Sequence, residues 1–119
     1  MRIQNEKLEL SSNDLTSPIT SSPLWLAHIV NYSIQITTSG TPNGTFKLQV
    51  SNDEGSKSGS NATVLNWADS VINVTITSAG SIILEDKDCT SRWVRLVWTD
   101  SGSAGGSVIE EVRFNVKGI

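Results

Sequence analysis

Apolar and polar residues alternate with period two along most of the chain from residue 24 onward, the mark of strands with one buried face. Tyr32, Ile34 and Ile36 alternate with Ser33, Gln35 and Thr37. Phe46, Leu48 and Val50 alternate with Lys47, Gln49 and Ser51, and Ile72, Val74 and Ile76 with Asn73, Thr75 and Thr77. Val112, Phe114 and Val116 alternate with Glu111, Arg113, Asn115 and Lys117. The stretch 92–99 (Arg-Trp-Val-Arg-Leu-Val-Trp-Thr) is apolar on both faces, which predicts a central strand whose outer face is also covered. With 24–30, 62–65 and 81–84, the pattern gives about eight short strands and an all-β sandwich or small barrel. No segment carries helical periodicity with a paired cap.

Turn chemistry punctuates these runs. Gly40-Thr41-Pro42-Asn43-Gly44 presets a type I turn closed by a bulge, and predicts that strands 32–38 and 45–51 form a hairpin. Residues 53–61 lack a large apolar side chain and read as a long loop; Ala79-Gly80-Ser81 reads as a tight turn, and 100–107 as a flexible hairpin loop. Residues 1–23 read differently. Ile3, Leu8, Leu10, Leu15 and Ile19 are scattered among polar residues, and Pro18 and Pro23 punctuate the end. This predicts an extended N-terminal arm (1–23) ahead of a β-sandwich domain (24–119), the arm either lying on a partner subunit or being a disordered terminus.

Composition narrows the function. The chain has 119 residues, 37% hydrophobic, with net charge -3, which fits one domain with one modest core. An acidic balance argues against nucleic acid, whose phosphates require clustered Lys and Arg. The longest apolar run, 24–27, is far short of a membrane span of about 20 residues. The N-terminus lacks the apolar core of a secretory signal, so the expected site of assembly is a cytoplasm.

The catalytic inventory is thin. The one histidine, His28, is the sole imidazole base for any serine or for the one cysteine, Cys89, and Cys89 follows the acidic run 85–88, which disfavours a thiolate. One Cys and one His cannot build a structural zinc site, and no cofactor is expected. Asn52-Asp53-Glu54 and the 85–88 cluster carry oxygen ligands but no EF-hand loop, and read as solvated acidic turns. Glu110 and Glu111, as strand neighbours, are expected on opposite faces and so cannot flank one glycosidic bond. The segment 101–107 lacks the Lys of a phosphate loop. Four Asn-x-Ser/Thr triplets, at Asn31, Asn43, Asn61 and Asn73, look like glycosylation acceptors, but about two would arise by chance in a chain this rich in Asn, Ser and Thr and no export signal is seen, so they read as accidental. These readings predict a protein without enzymatic activity.

Four Trp against one Tyr and two Phe is a skewed aromatic set. Trp93 and Trp98 lie on opposite faces of one strand, so at least one belongs to the core. Trp67, with Asn66 and Asp69, is the candidate ligand platform for a sugar, and Trp25 the candidate subunit contact. Arg92 and Arg95 are expected to pair with strand neighbours or with Glu110 and Glu111.

The blocks at 32–35, 40–53, Asn66-Trp67, 92–96 and 117–119 come in an order that resembles small structural proteins encoded by tailed bacteriophages. The resemblance implies an antiparallel β-sandwich of jelly-roll type used as a virion component: a capsid decoration protein, head fibre or tail accessory. Its partners would be phage capsid or tail proteins and further copies of itself, a trimer being favoured. The expected interface comprises Ile3, Leu8, Leu10, Leu15, Ile19 and Trp25. The alternative reading is a carbohydrate-binding module or adhesin that holds a cell-surface glycan through exposed Trp and polar loops.

Overall fold

The computed structural model describes residues 2–7, 10–26, 29–52, 66–87 and 90–118. The 53–61 loop, the 62–65 strand, Leu8, His28, Asp88 and Cys89 lie outside the described residues. Among the described residues there are nine strands: β1 (Arg2–Lys7), β2 (Ile19–Thr20), β3 (Leu24–Trp25), β4 (Ile29–Ser39), β5 (Gly44–Ser51), β6 (Ala68–Ile76), β7 (Gly80–Asp86), β8 (Trp93–Asp100) and β9 (Val108–Gly118). None of the described segments is a helix long and apolar enough to cross a membrane.

The strands form two antiparallel sheets, β1-β9-β4-β7 and β2-β8-β5-β6, with β3 also pairing β8. The inward halves of the alternating patterns meet between them. Ile34, Ile36, Leu84, Val112, Phe114 and Val116 come from the four-stranded sheet, and Phe46, Leu48, Val94, Leu96 and Trp98 from the other. Phe46 packs on Trp98 with ring centroids 4.5 Å apart, and Tyr32 on Phe114 at 5.5 Å. β8 lies inside its sheet, with Trp98 in the core and Trp93 buried on the opposite side against Trp25. The outer cover that the doubly apolar pattern predicts is thus present at the Trp93 end, while Arg95 and Val97 are half-buried and Thr99 is exposed. The architecture is an all-β sandwich of jelly-roll type.

The structure corrects the hairpin expected between 32–38 and 45–51. β4 pairs β7 and β9, whereas β5 pairs β6 and β8, so the 40–43 connection crosses from one sheet to the other. The loop between β8 and β9 crosses as well, and is not a hairpin loop. The two crossings lock together. The Ser101 and Ala104 amides donate to the Asn43 and Thr41 carbonyls, while the Thr41 and Asn43 amides donate to Ser107 Oγ and Ser103 Oγ. Backbone groups that a hairpin would pair across its own turn are satisfied here by the second loop.

The separate arm is also corrected for the described part of residues 1–23. β1 pairs in register with β9 from Arg2↔Gly118 to Lys7↔Arg113, and β2 pairs β8. Leu15 and Ile19 are buried in the core. The Leu15 amide donates to the Ser107 carbonyl, and the Ile109 amide to Asn13. Buried Ser21 does the work of a strand partner, its Oγ accepting from the Leu96 amide at 2.8 Å and its own amide donating to the Leu96 carbonyl. Isolated apolar residues need no periodicity to fill gaps at the open side of a sandwich, and these do so.

One further expectation changes. The β4–β9 register runs Thr37↔Glu111 and then Thr38↔Ile109, so Glu110 is the extra residue of a β-bulge. The bulge interrupts alternation, and Glu110 and Glu111 are both exposed. Glu110 accepts from Ser39 Oγ at 2.7 Å and Glu111 pairs with Arg113 at 3.1 Å, so neither meets Arg92 or Arg95.

Candidate functional site

Two solvent-facing surfaces result from this pairing, one on each sheet. Antiparallel register places directly paired residues on the same face. On the five-stranded sheet, Arg95, Gln49 and Asp69 therefore stand side by side on β8, β5 and β6. They are joined in series. Arg95 Nε donates to Gln49 Oε1 at 2.8 Å, Gln49 Nε2 donates to Asp69 Oδ1 at 2.9 Å, and Lys47 Nζ lies 3.3 Å from the same carboxylate. The Gln49 and then the Lys47 hydrogen bonds hold the Asp69 carboxyl below its usual pKa. The Arg95 guanidinium stacks over the Trp67 ring, 4.4 Å from its centroid. Partial burial draws its pKa down, although a guanidinium remains charged.

The structure thus brings the expected platform residues Asn66, Trp67 and Asp69 to one end of β6. Trp67 carries Arg95 on its ring and Asp69 carries Gln49 and Lys47. Asn66 lines an open depression of about 350 Å³ with Val50, Ser51, Asn52, Ala68 and Ser91. Arg95 pairs with a strand neighbour, as expected.

The expected interface residues are dispersed. Leu15 and Ile19 have no free surface. Leu10 is half-buried and forms an isolated bridge with Ser21, and Ile3 sits at a register position opposite Lys117. Trp25 is half-buried, with its ring centroid 4.8 Å from that of Trp93.

The outer face of the four-stranded sheet is built differently. Ser33 on β4 pairs Asn115 on β9 and Glu85 on β7, and the row next to it is Arg113, Gln35 and Ile83. Asn31, Ser33, Ile83, Glu85, Asp86 and Asn115 are among the residues lining an open depression of about 450 Å³ on this face. The sequence had offered Asn31 only as a chance triplet and Glu85 and Asp86 only as part of an acidic turn, whereas both carboxylates belong to strand β7. The outward orientation of Ser33 and Asn115 was legible in the alternation of 32–37 and 111–117, but the strand pairing that aligns these residues was not.

No family model matches the chain, and no curated protein matches it. Among solved structures it is similar in fold to the SPBc2 prophage-derived protein YomS, with a TM-score of 0.56 and 14% identity over 98% of this chain and 95% of that one. Weaker likenesses include chitosan-binding module 1 of a chitosanase/glucanase from Paenibacillus sp. IK-5, at a TM-score of 0.47 and 16% identity over 98% of this chain and 94% of that one. A low-affinity xylan-binding module from Roseburia intestinalis aligns at a TM-score of 0.45 and 8% identity over 100% of this chain and 97% of that one. The likeness to YomS shows a shared fold.

Proposed function

We propose that the protein is a non-enzymatic virion structural protein of a tailed phage, a capsid decoration or cement protein that binds the particle surface as a homo-oligomer, with a trimer favoured. The observation that carries this reading is the correspondence in fold with a prophage-derived protein, which extends over 98% of this chain and 95% of that one. The ordered blocks that resemble small phage structural proteins support it independently, as does a catalytic inventory of one His and one Cys. Of the expected contact residues whose burial is described, Leu10 and Trp25 keep part of their surface open, and we assign the oligomer interface there.

Copy number tests the reading. Quantitative mass spectrometry of particles purified from the phage or lysogen that encodes the chain, measured against the major capsid protein, should find many copies per particle. A handful would move the protein to the tail or a fibre, and absence from the particle would overturn the proposal. Light scattering on the purified protein checks the trimer.

A further inference from the structure

We infer that the outer face of the four-stranded sheet, over β9, β4 and β7, is a binding site for a neutral saccharide. This is a function beyond a structural role, and it stands whether or not the chain sits in a particle. The depression there has about 450 Å³ of space, within the range of sites that take small ligands, and it opens to solvent. Its lining selects the class of ligand. Asn31 and Asn115 offer planar amides, each a donor and an acceptor, Ser33 a hydroxyl and Glu85 a carboxylate. A ligand bearing hydroxyls on neighbouring carbons needs that mixture, since each hydroxyl both gives and accepts a hydrogen bond. Ile83, 57% exposed on the same face, supplies an apolar contact for the C–H face of a sugar ring.

The same lining disfavours other ligands. Lys87, the one cationic side chain among the described lining residues, lies 4.0 Å from Glu85, so the described lining offers an anion no basic cluster. Among the described residues no three His, Cys, Asp or Glu come together to hold a metal ion. An apolar ligand would strip water from the amides without replacing their hydrogen bonds.

Placement adds to the chemistry. Asn115, Ser33 and Glu85 form one register row across three hydrogen-bonded strands, which spans about 10 Å from first to last. A row fixed by backbone pairing is preorganised, so little ordering is left to offset binding. Asn31 and Ser33 make no side-chain hydrogen bond among the described residues.

Amide-resolved NMR titration of the full chain with cello-, chito-, xylo-, galacto- and manno-oligosaccharides tests the assignment. At least one series should shift the signals of Asn31, Ser33, Ile83, Glu85 and Asn115, and leave those around Trp67 and Arg95 in place. Ser33→Trp, which fills the depression from its middle strand, should abolish the response. Asn31→Ala and Asn115→Ala each remove about 1 kcal/mol of hydrogen bonding and should weaken it about fivefold, which covers the case in which the Trp variant does not fold. No shift with any series, shifts that map instead to the Trp67 side, or a response that survives in a folded Ser33→Trp variant would overturn the inference.

Discussion

Trp98 donates its indole N–H to the backbone carbonyl of Leu15 at 2.9 Å, inside the core and across 83 residues of sequence. Leu15 and Ile19 fill space beside Trp98 that the central strands do not close, so the segment before residue 23 belongs to the folding unit. Deleting residues 1–22 is therefore expected to remove the cooperative thermal transition altogether. A truncated chain with native-like chemical-shift dispersion would show that the segment is a dispensable arm. The milder variant Leu15→Ala should cost about 2–5 kcal/mol in urea unfolding, a large share of the roughly 5–15 kcal/mol of a typical domain.

The crossing from β4 to β5 leaves no room at its exit. A Cβ on Gly44 would stand 2.3 Å from the Thr99 carbonyl oxygen and 2.6 Å from the Trp98 ring, both in the closely packed β8. Gly44→Ala should lower stability by about 1–3 kcal/mol or more through forced displacement of the strand. Gly105 is its control, because a Cβ there meets nothing within 4 Å. Gly105→Ala should leave the unfolding midpoint where it is, and equal losses in the two variants would contradict the packing argument.

These two regions also mark what could be read in the sequence. Alternation revealed the strands around residues 34, 48 and 114 and which of their side chains face inward, because burying one face of a strand requires period two, whereas the 92–99 strand was legible as a strand but not as to which of its two apolar faces lies inward. It did not reveal partners, since Ile34 and Phe46 look the same whether their strands pair or face each other across a core. Turn chemistry misled at Pro42-Asn43-Gly44, where residues suited to a tight turn serve a crossing whose hydrogen bonds come from 101–104. Leu15 and Ile19 had no pattern to announce them. Glu110 was misplaced because a bulge is a pairing irregularity and leaves no local signature of its own. The Asn115-Ser33-Glu85 row shares that cause: three ordinary outward polar residues become a surface only once their strands are ordered.

Acid should destabilise the protein in a defined window. The Thr16 amide and hydroxyl hold the Asp14 carboxyl below its usual pKa, Gln49 and Lys47 do so for Asp69, and the Ser103 amide and hydroxyl with the Gly102 amide for Asp100. A carboxyl with a lower pKa folded than unfolded contributes stability that is fully present above the unfolded value of about 3.9. That contribution is lost as pH falls through the folded value. The urea midpoint should thus hold steady down to about pH 5 and decline below about 4. Asp100→Asn keeps an acceptor oxygen for the Ser103 amide, 2.7 Å away in the native loop, but does not titrate, so its decline should be shallower. An unchanged slope would remove Asp100 from the account.

The stack of Arg95 on Trp67 is expected to be energetically coupled, and a double-mutant cycle isolates that coupling from the rest of the row. Arg95→Ala removes both the stack and the 2.8 Å bond to Gln49, whereas Trp67→Ala removes the stack and leaves that bond in place. The interaction free energy from the cycle should be about 0.5–1 kcal/mol, the range for a partly exposed cation over an indole. Arg95→Lys separates charge from shape: an ammonium keeps the charge but lacks the planar fork that lies on the ring while its edge reaches Gln49, so it should recover less than half of the loss. Full recovery by Lys would mean that charge near Asp69 is what matters. A coupling of zero would mean that the stack contributes nothing to stability.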